Sequence, residues 1–164
     1  CKGETMAKLK IVTDEAPLRK KSRPVTEINE RIKTLLSDML ETMRDADGVG
    51  LAAPQVGVLR RVVVIEVTEG EVLMLINPEI TETAGEQVGP EGCLSLPGEQ
   101  GIVRRPNYVK IRALDPDGNE RTYEGMGLLA RAMCHEIDHL DGILYPDKAE
   151  RMMTREELDG GDEE

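Results

Sequence analysis

Both histidines of the chain lie four residues apart, in the run His135-Glu136-Ile137-Asp138-His139. On a helix, residues i and i+4 share one face, so both imidazoles can bind the same metal ion. Glu136 follows the first histidine and could serve as general base and then general acid toward a metal-activated water. The run is short, but its apolar neighbours favour a buried helix, where two unbound histidines would be costly. The alternative is a pair of hydrogen-bonded core histidines.

A catalytic metal of this type needs a third protein ligand and one open position. Glu156 and Glu157 are candidates by their distance along the chain, but they open an acidic tail. Cys134 is adjacent to His135 and would point about 100° away from it on a helix. Cys93 lies in a segment rich in Gly and Pro, which can present a thiolate from a separate element. A small buried hydrophobic residue is an equally good interpretation of Cys93 taken alone.

A glycine-rich segment occupies residues 48–55. It superficially matches the dinucleotide-binding fingerprint, but it follows a predicted helix rather than a strand, and Pro54 prevents a helix from starting cleanly there. We therefore predict a loop whose bare backbone lets an extended ligand approach closely. Gln55 would then offer a neutral amide donor for an oxyanion. The alternative is a tight structural loop with a surface glutamine.

The hydrophobic pattern predicts the elements that must position these side chains. Residues 26–44 carry apolar residues on one helical face, with Thr26 as N-cap and Gly48 as a left-handed stop. A second helix is predicted over residues 127–140. Strands are predicted over 61–67, 72–77, 108–114 and 120–124, with a hairpin turn at 115–118. The layout predicts a single α+β domain, with mostly antiparallel sheets packed around the helix that carries both histidines.

Composition limits the possible functions of this chain of 164 residues. Its 39% hydrophobic and 32% charged residues are ordinary globular values, which argues against disorder. The absence of Trp and Phe argues against an aromatic platform for single-stranded nucleic acid. The net charge of −11 argues against a general binder of phosphate backbones, so we expect no DNA partner. No apolar run approaches the roughly 20 residues of a membrane helix, so we expect no membrane partner.

The chain divides into three predicted segments. The domain is expected over residues 6–153, because a sequence typical of a folded domain begins at Met6. Residues 1–5 are interpreted as a remnant of cloning or processing. Residues 154–164 form an acidic tail that we expect to be solvated.

Three motifs together resemble those of the peptide deformylase family. They are G-x-G-x-A-A-x-Q at residues 48–55, E-G-C-L-S at 91–95 and H-E-x-x-H at 135–139. The resemblance covers nearly the whole chain from Met6 to about Met153, and the predicted elements fit the family's architecture. Two positions depart from the family pattern. Cys134 stands where Gln is common, which can alter local packing, and Gln100 stands where Arg is frequent, which can alter the rim of the peptide site.

The resemblance implies removal of the N-formyl group from the initiator formyl-methionine of nascent proteins, with release of formate. It implies three metal ligands, which are Cys93, His135 and His139. A metal-bound water would attack the formyl carbon with Glu136 as general base and acid. Gln55 and the backbone N–H of Leu94 would hold the oxyanion. The residues expected to bind the substrate are Gly48, Val49, Gly50, Leu128, Arg131 and Ala132. Asp138 could orient the site by pairing with Arg105 or Arg104, or it could be a helix-surface acid.

The resemblance also implies one divalent metal ion per chain. Fe²⁺ is the expected physiological ion, and Zn²⁺, Ni²⁺ or Co²⁺ are ions that a preparation could carry. The expected partners are N-formylmethionyl peptides and the ribosome near the nascent-chain exit, and the chain is expected to be a monomer. The expected location is the bacterial cytoplasm, with an organellar matrix as the alternative. Two other functions stay open: a zinc endopeptidase, and a metal-binding or ribosome-associated module without activity.

Overall fold

The structure is a computed structural model that describes residues 8–160, so the predicted remnant at residues 1–5 lies outside the described part. The helices are α1 (Glu15–Leu18), α2 (Glu30–Asp45), α3 (Leu128–Leu140) and α4 (Arg155–Gly160). The strands are β1 (Gly50–Ala52), β2 (Val62–Ile65), β3 (Leu73–Ala84), β4 (Gln87–Cys93), β5 (Leu96–Arg105), β6 (Tyr108–Leu114), β7 (Glu120–Met126) and β8 (Ala149–Met152). Two short 3₁₀ helices cover Ala53–Val56 and Tyr145–Asp147.

The strands form two antiparallel sheets. Five strands pair in the order β1-β2-β3-β6-β7, and three pair in the order β4-β5-β8. The predicted α+β class with mostly antiparallel sheets is confirmed. None of the helices within residues 8–160 is long and apolar enough to cross a membrane.

The larger sheet is covered by a helix on each face, which explains the uniformly apolar sequence of β2. Val63 and Ile65 belong to the core shared with α3, whereas Val62 and Val64 belong to the core shared with α2. Successive side chains of a strand point to opposite faces, so a strand covered on both sides needs apolar residues throughout. The α3 side chains in this core are Ala130, Ala132, Met133, Cys134, Ile137 and Leu140. The arrangement holds α3 firmly against the sheet.

The first long helix begins later than predicted, so the assignment of Thr26 as N-cap is wrong. Asn29 caps the helix, because its side-chain oxygen accepts the backbone N–H of Ile32 at 3.1 Å. The preceding chain is held extended by Asn77, whose amide bonds both the N–H and the carbonyl of Val25 at 2.8 and 2.9 Å. A distant side chain therefore fixes the extended segment that precedes this helix.

The stop after α2 also differs from the prediction, because Gly48 is not the left-handed residue. Asp47 takes that conformation with φ of 58°, and the N–H of Gly48 bonds the carbonyl of Met43 at 2.9 Å. A Cβ at residue 48 would lie 2.7 Å from Cδ1 of Leu94. The glycine therefore leaves room for the Leu94 side chain and does not supply a positive φ.

The predicted strands agree unequally with the structure. The segment 108–114 coincides with β6, and the helix predicted over 127–140 is α3. The strand predicted over 61–67 is shorter than expected, and those at 72–77 and 120–124 are longer.

The β4–β5 hairpin was not predicted from the sequence, because its Gly and Pro residues weaken the alternating pattern of a strand. Pro90 is tolerated because β4 is an edge strand of its sheet.

The loop predicted over residues 48–55 is instead the short edge strand β1 followed by a 3₁₀ turn.

We predict that Gly142→Ala destabilises the fold more than Gly70→Ala. Both glycines have positive φ, 77° and 88°, so each substitution incurs the cost of a left-handed alanine, roughly 1 kcal/mol. At residue 142 the new Cβ would also overlap the carbonyl of Arg19, whereas at residue 70 no atom lies within 4 Å. We expect a loss of roughly 2–4 kcal/mol for Gly142→Ala. Urea unfolding measures both values, and equal losses would contradict the overlap.

Candidate active site

Helix α3 places His135 and His139 side by side, with ring centroids 4.9 Å apart. Cys93 at the end of β4 lies opposite, and its Sγ is 3.3 Å from Nε2 of His139. Donor atoms of these three residues all lie within 4.8 Å of one another. One thiolate and two imidazoles are a donor set that zinc and other divalent transition metals accept, so the residues fit a single metal ion.

The hairpin between β4 and β5 presents the cysteine. Cys93 pairs with Leu96 across a tight turn, and the strand register shifts between Glu91 and Cys93. A bulge of this kind inserts an extra residue and bends the strand, which redirects the side chains that follow. The position of the thiol therefore depends on how this hairpin pairs.

The Glu91 carboxylate is buried at the centre of the site. It accepts two hydrogen bonds from Arg105 at 2.6 and 3.1 Å and one from Arg131 at 2.7 Å. It also lies 2.7 Å from Nδ1 of His135. A carboxylate on Nδ1 orients the ring and leaves Nε2 for a metal. Burial disfavours the charged form, but the bonds from His135 and Arg105 hold the pKa of Glu91 well below its usual range.

A second carboxylate extends this network on the side of α3. Arg105 donates to Asp138 at 2.8 Å, and Lys148 pairs with the same carboxylate at 3.1 Å. Arg105 is therefore the partner of Asp138, whereas Arg104 pairs with Glu86 and Glu150 on the surface. The contacts of Arg105 join β5 to α3 through buried charge pairs. Sequence reasoning assigned no role to Glu91, because its partners come from β5 and α3 and no local pattern brings them together.

Glu136 lies between the histidines and the glycine-rich strand β1. A Cβ at Gly50 would lie 2.6 Å from Oε2 of Glu136, so the glycine makes room for this carboxylate. Oε1 has no hydrogen-bond partner among the described residues. Burial raises the pKa of Glu136 to about 7. A carboxyl group with a free oxygen and a pKa near neutrality is suited to proton transfer.

The two histidines have opposite pKa shifts. Burial lowers the pKa of His139 to about 3, which favours the neutral imidazole that a metal requires. Burial also opposes the charge on His135, but the negative charge of Glu136 and the hydrogen bonds to Cys93 and Glu91 raise its pKa to about 10. A divalent cation would offset those charges, so a metal and a proton compete for this ring.

Gln55 is buried beside the cysteine, so the alternative of a surface glutamine is wrong. Its side-chain oxygen accepts the N–H of Ala52 at 2.9 Å, which fixes the orientation of the amide. Its Nε2 donates to Oγ of Ser95 at 3.2 Å and to Sγ of Cys93 at 3.4 Å. The amide donor therefore lies beside the cluster of metal-binding side chains.

A cleft of about 450 Å³ opens over the cluster. Every side chain or backbone segment expected to bind the substrate or the oxyanion lines it: Gly48, Val49, Gly50, Gln55, Leu94, Leu128, Arg131 and Ala132. Cys93, His135 and Glu136 also line the cleft, whereas His139 lies behind them. The guanidinium of Arg131 is occupied by Glu91 and the carbonyl of Val103, so it forms a fixed wall. Cys134 is buried in the core and takes no part.

Two histidines on one helix, a facing thiol and a carboxylate at the base of an open cleft are an arrangement typical of metal-dependent hydrolases. A family model described as polypeptide deformylase matches residues 8–155. The peptide deformylase of Caldanaerobacter subterraneus subsp. tengcongensis is 62% identical over 143 residues, which cover 87% of this chain and 89% of that protein. The chain therefore belongs to the polypeptide deformylase family, and the family predicted from the three motifs is confirmed.

Solved structures agree with this assignment. A peptide deformylase from Legionella pneumophila is 40% identical with a TM-score of 0.84, over 96% of this chain and 92% of that chain. The enzyme from Thermotoga maritima is 39% identical with a TM-score of 0.83, over 87% of this chain and 97% of that chain. The fold and the sequence therefore point to the same family.

We predict that Glu91→Gln weakens Zn²⁺ binding about 10–100-fold, because the neutral amide no longer orients His135 as a carboxylate does. The matched control is Glu86→Gln, since Glu86 also pairs with an arginine of β5 but at the surface. Chelator competition measures both affinities, and the control should bind like the unmodified chain. Equal Zn²⁺ affinity of the Glu91→Gln variant would contradict the role of this carboxylate.

Proposed function

We propose that this chain removes the N-formyl group from formyl-methionine at the start of nascent proteins and releases formate. Membership of the deformylase family supports the proposal. The observation that carries it is the convergence of Cys93, His135 and His139 beside the Glu136 carboxylate at the base of an open cleft.

Cys93, His135 and His139 would hold one divalent ion, and we propose Fe²⁺ as the physiological one. The thiolate and imidazole donors suit Fe²⁺ as well as Zn²⁺, Ni²⁺ or Co²⁺. When bound, the ion supplies Lewis acidity, which lowers the pKa of a water and polarises a carbonyl.

Proton transfer and charge stabilisation would come from three groups of the chain. The free oxygen of Glu136 takes a proton from the attacking water and later passes it to the leaving amine. Negative charge develops on the formyl oxygen as the carbon becomes tetrahedral. Nε2 of Gln55 and the N–H of Leu94 donate to this oxygen, and each such donor typically contributes a few kcal/mol to the transition state.

The cleft suits an extended peptide with an aliphatic side chain. We propose that Val49, Leu128 and Ala132 contact the methionine side chain, against the fixed wall formed by Arg131. Strand β1 is the edge of its sheet, so its outer backbone edge offers pairing groups to a peptide lying along Gly48 and Gly50.

The relatives support a bacterial setting for this activity. Curated deformylases from the bacteria Caldanaerobacter subterraneus and Thermoanaerobacter pseudethanolicus match this chain, so we propose the bacterial cytoplasm as the location and the ribosome near the nascent-chain exit as a partner. We propose a monomer whose catalytic domain spans residues 6–153 and whose acidic tail spans 154–164. The start of this tail packs on β8, since Glu157 binds Arg151 through two bonds of 2.7 Å.

We predict that the chain, loaded anaerobically with Fe²⁺, releases formate from a formyl-methionyl tripeptide. Glu136→Ala should keep the metal and lower the rate about 10²–10⁴-fold, because it removes the proton-transfer group. Cys93→Ser should lose metal, since it removes one of three ligands. Formate release and metal content are measured on the same samples.

The outcomes separate the alternatives. Absence of formate from the metal-loaded chain would reject deformylation. Cleavage of unblocked internal peptide bonds would instead indicate an endopeptidase, and metal binding with neither activity would indicate an inactive module. Full metal content and full activity of Cys93→Ser would reject the cysteine as a ligand.

We predict that Ala132→Leu narrows the pocket for the methionine side chain. The larger side chain occupies cleft volume next to Leu128, so KM for the formyl-methionyl tripeptide should rise about 10-fold, whereas a formyl-alanyl tripeptide should be affected less. Comparison of kcat/KM for the two peptides measures the change in preference. An unchanged preference and rate would remove Ala132 from the pocket.

A further inference from the structure

The basic side chains of residues 8–160 differ in whether they have acidic partners. Those on the strands mostly form ion pairs, as Arg104, Arg105 and Arg112 do. Arg23, Arg31 and Arg60 form no ion pair with any residue in the described part of the chain. Lys20 and Lys21, which precede Arg23, also form no ion pair with a described residue. In a chain with 32 acidic residues, unpaired cations are not explained by a shortage of carboxylates.

These unpaired arginines come from three separate segments and meet at one groove. Arg31 on α2 and Arg60 after the first 3₁₀ turn both line a groove of about 590 Å³. Arg23 borders it, because its N–H bonds the carbonyl of Leu59 at 3.1 Å and its backbone bridges Arg60. The only acidic residue in the described lining is Glu27. We call this feature the arginine groove, and it shares no lining residue with the active-site cleft.

The lining of the arginine groove and the chain segment that leads into it carry more basic than acidic side chains. Residues 8–33 carry eight basic side chains, Lys8, Lys10, Arg19, Lys20, Lys21, Arg23, Arg31 and Lys33. The acidic side chains of the same range are Asp14, Glu15, Glu27 and Glu30. The chain as a whole has a net charge of −11. A local excess of positive charge can attract an anionic partner even when the chain as a whole is negative.

We infer that the arginine groove binds the phosphodiester backbone of a structured RNA. The inference rests on the proposed function, because an enzyme that acts on nascent chains works beside the RNA of the ribosome. Guanidinium groups present paired N–H donors that match phosphate oxygens. The groove has no aromatic residue in its described lining, so it offers no platform for stacking bases. Binding is therefore directed to phosphates and is independent of sequence.

The test measures the binding of a fluorescently labelled RNA hairpin to the metal-loaded chain over a range of salt concentrations. At low salt we expect a Kd on the order of 10⁻⁴–10⁻⁶ M, which weakens steeply as salt is added. The double variant Arg31→Gln/Arg60→Gln should reduce the slope of log K against log salt by about two, one for each lost phosphate contact.

The matched control is Arg104→Gln/Arg112→Gln, which removes the same charge from two exposed arginines that already have acidic partners. The slope of log K against log salt for this control should remain within about 0.3 of the slope for the unmodified chain, because these side chains contact no phosphate. Circular dichroism verifies that each variant is folded.

Three results would overturn the inference: no binding by the unmodified chain at low salt, equal losses in the control and the groove variant, or displacement of the hairpin by an acidic peptide at equal charge concentration. The last result would assign the groove to an acidic protein partner. Formate release from a tripeptide is measured in parallel and should be the same for Arg31→Gln/Arg60→Gln as for the unmodified chain. Loss of RNA binding with intact formate release would leave the proposed function standing.

Discussion

The structure depends on one buried carboxylate, that of Glu91. A charged carboxylate removed from water is costly unless hydrogen bonds replace its hydration. Here two arginines, Arg105 and Arg131, and the ring of His135 surround it. These partners lie on β5 and α3, so the requirement to satisfy a single charge joins the smaller sheet to the helix. Because Cys93 follows two residues later on the same strand, the charge cluster also determines how far the thiol lies from the histidines.

The remaining scaffold keeps the helix in place on the other side. The larger sheet has α3 on one face and α2 on the other, and β2 is apolar throughout because both of its faces are covered. At the contact between β1 and α3, Gly50 makes room for Glu136. The carboxylate can therefore be buried at this contact, and its burial raises its pKa to about 7. Close packing and the proton-transfer properties of the site thus have the same physical origin.

Charge is distributed unevenly between the active-site cleft and the arginine groove. Around the cleft, the buried arginines are neutralised by carboxylates, so they act as rigid parts of the wall. At the arginine groove, Arg23, Arg31 and Arg60 remain without acidic partners in the described residues. The net charge argued against a general binder of phosphate backbones, but it averages over these two regions. Electrostatic steering responds to the local potential, which the average conceals.

Local patterns were sufficient for the elements whose signals lie within a few consecutive residues. The alternation in residues 108–114 and the helical spacing around His135 and His139 predicted β6 and α3, and three short motifs predicted the family. The β4–β5 hairpin, the cap at Asn29 and the role of Glu91 could not be predicted in this way. Gly and Pro residues hide the strand pattern of the hairpin. The segment before the cap is held extended by Asn77, and the Glu91 carboxylate is satisfied by Arg105, so both depend on residues outside their own segment. Periodicity reports which face of a segment is apolar, whereas the pairing of charges and the close approach of backbones depend on which segments meet in the folded chain.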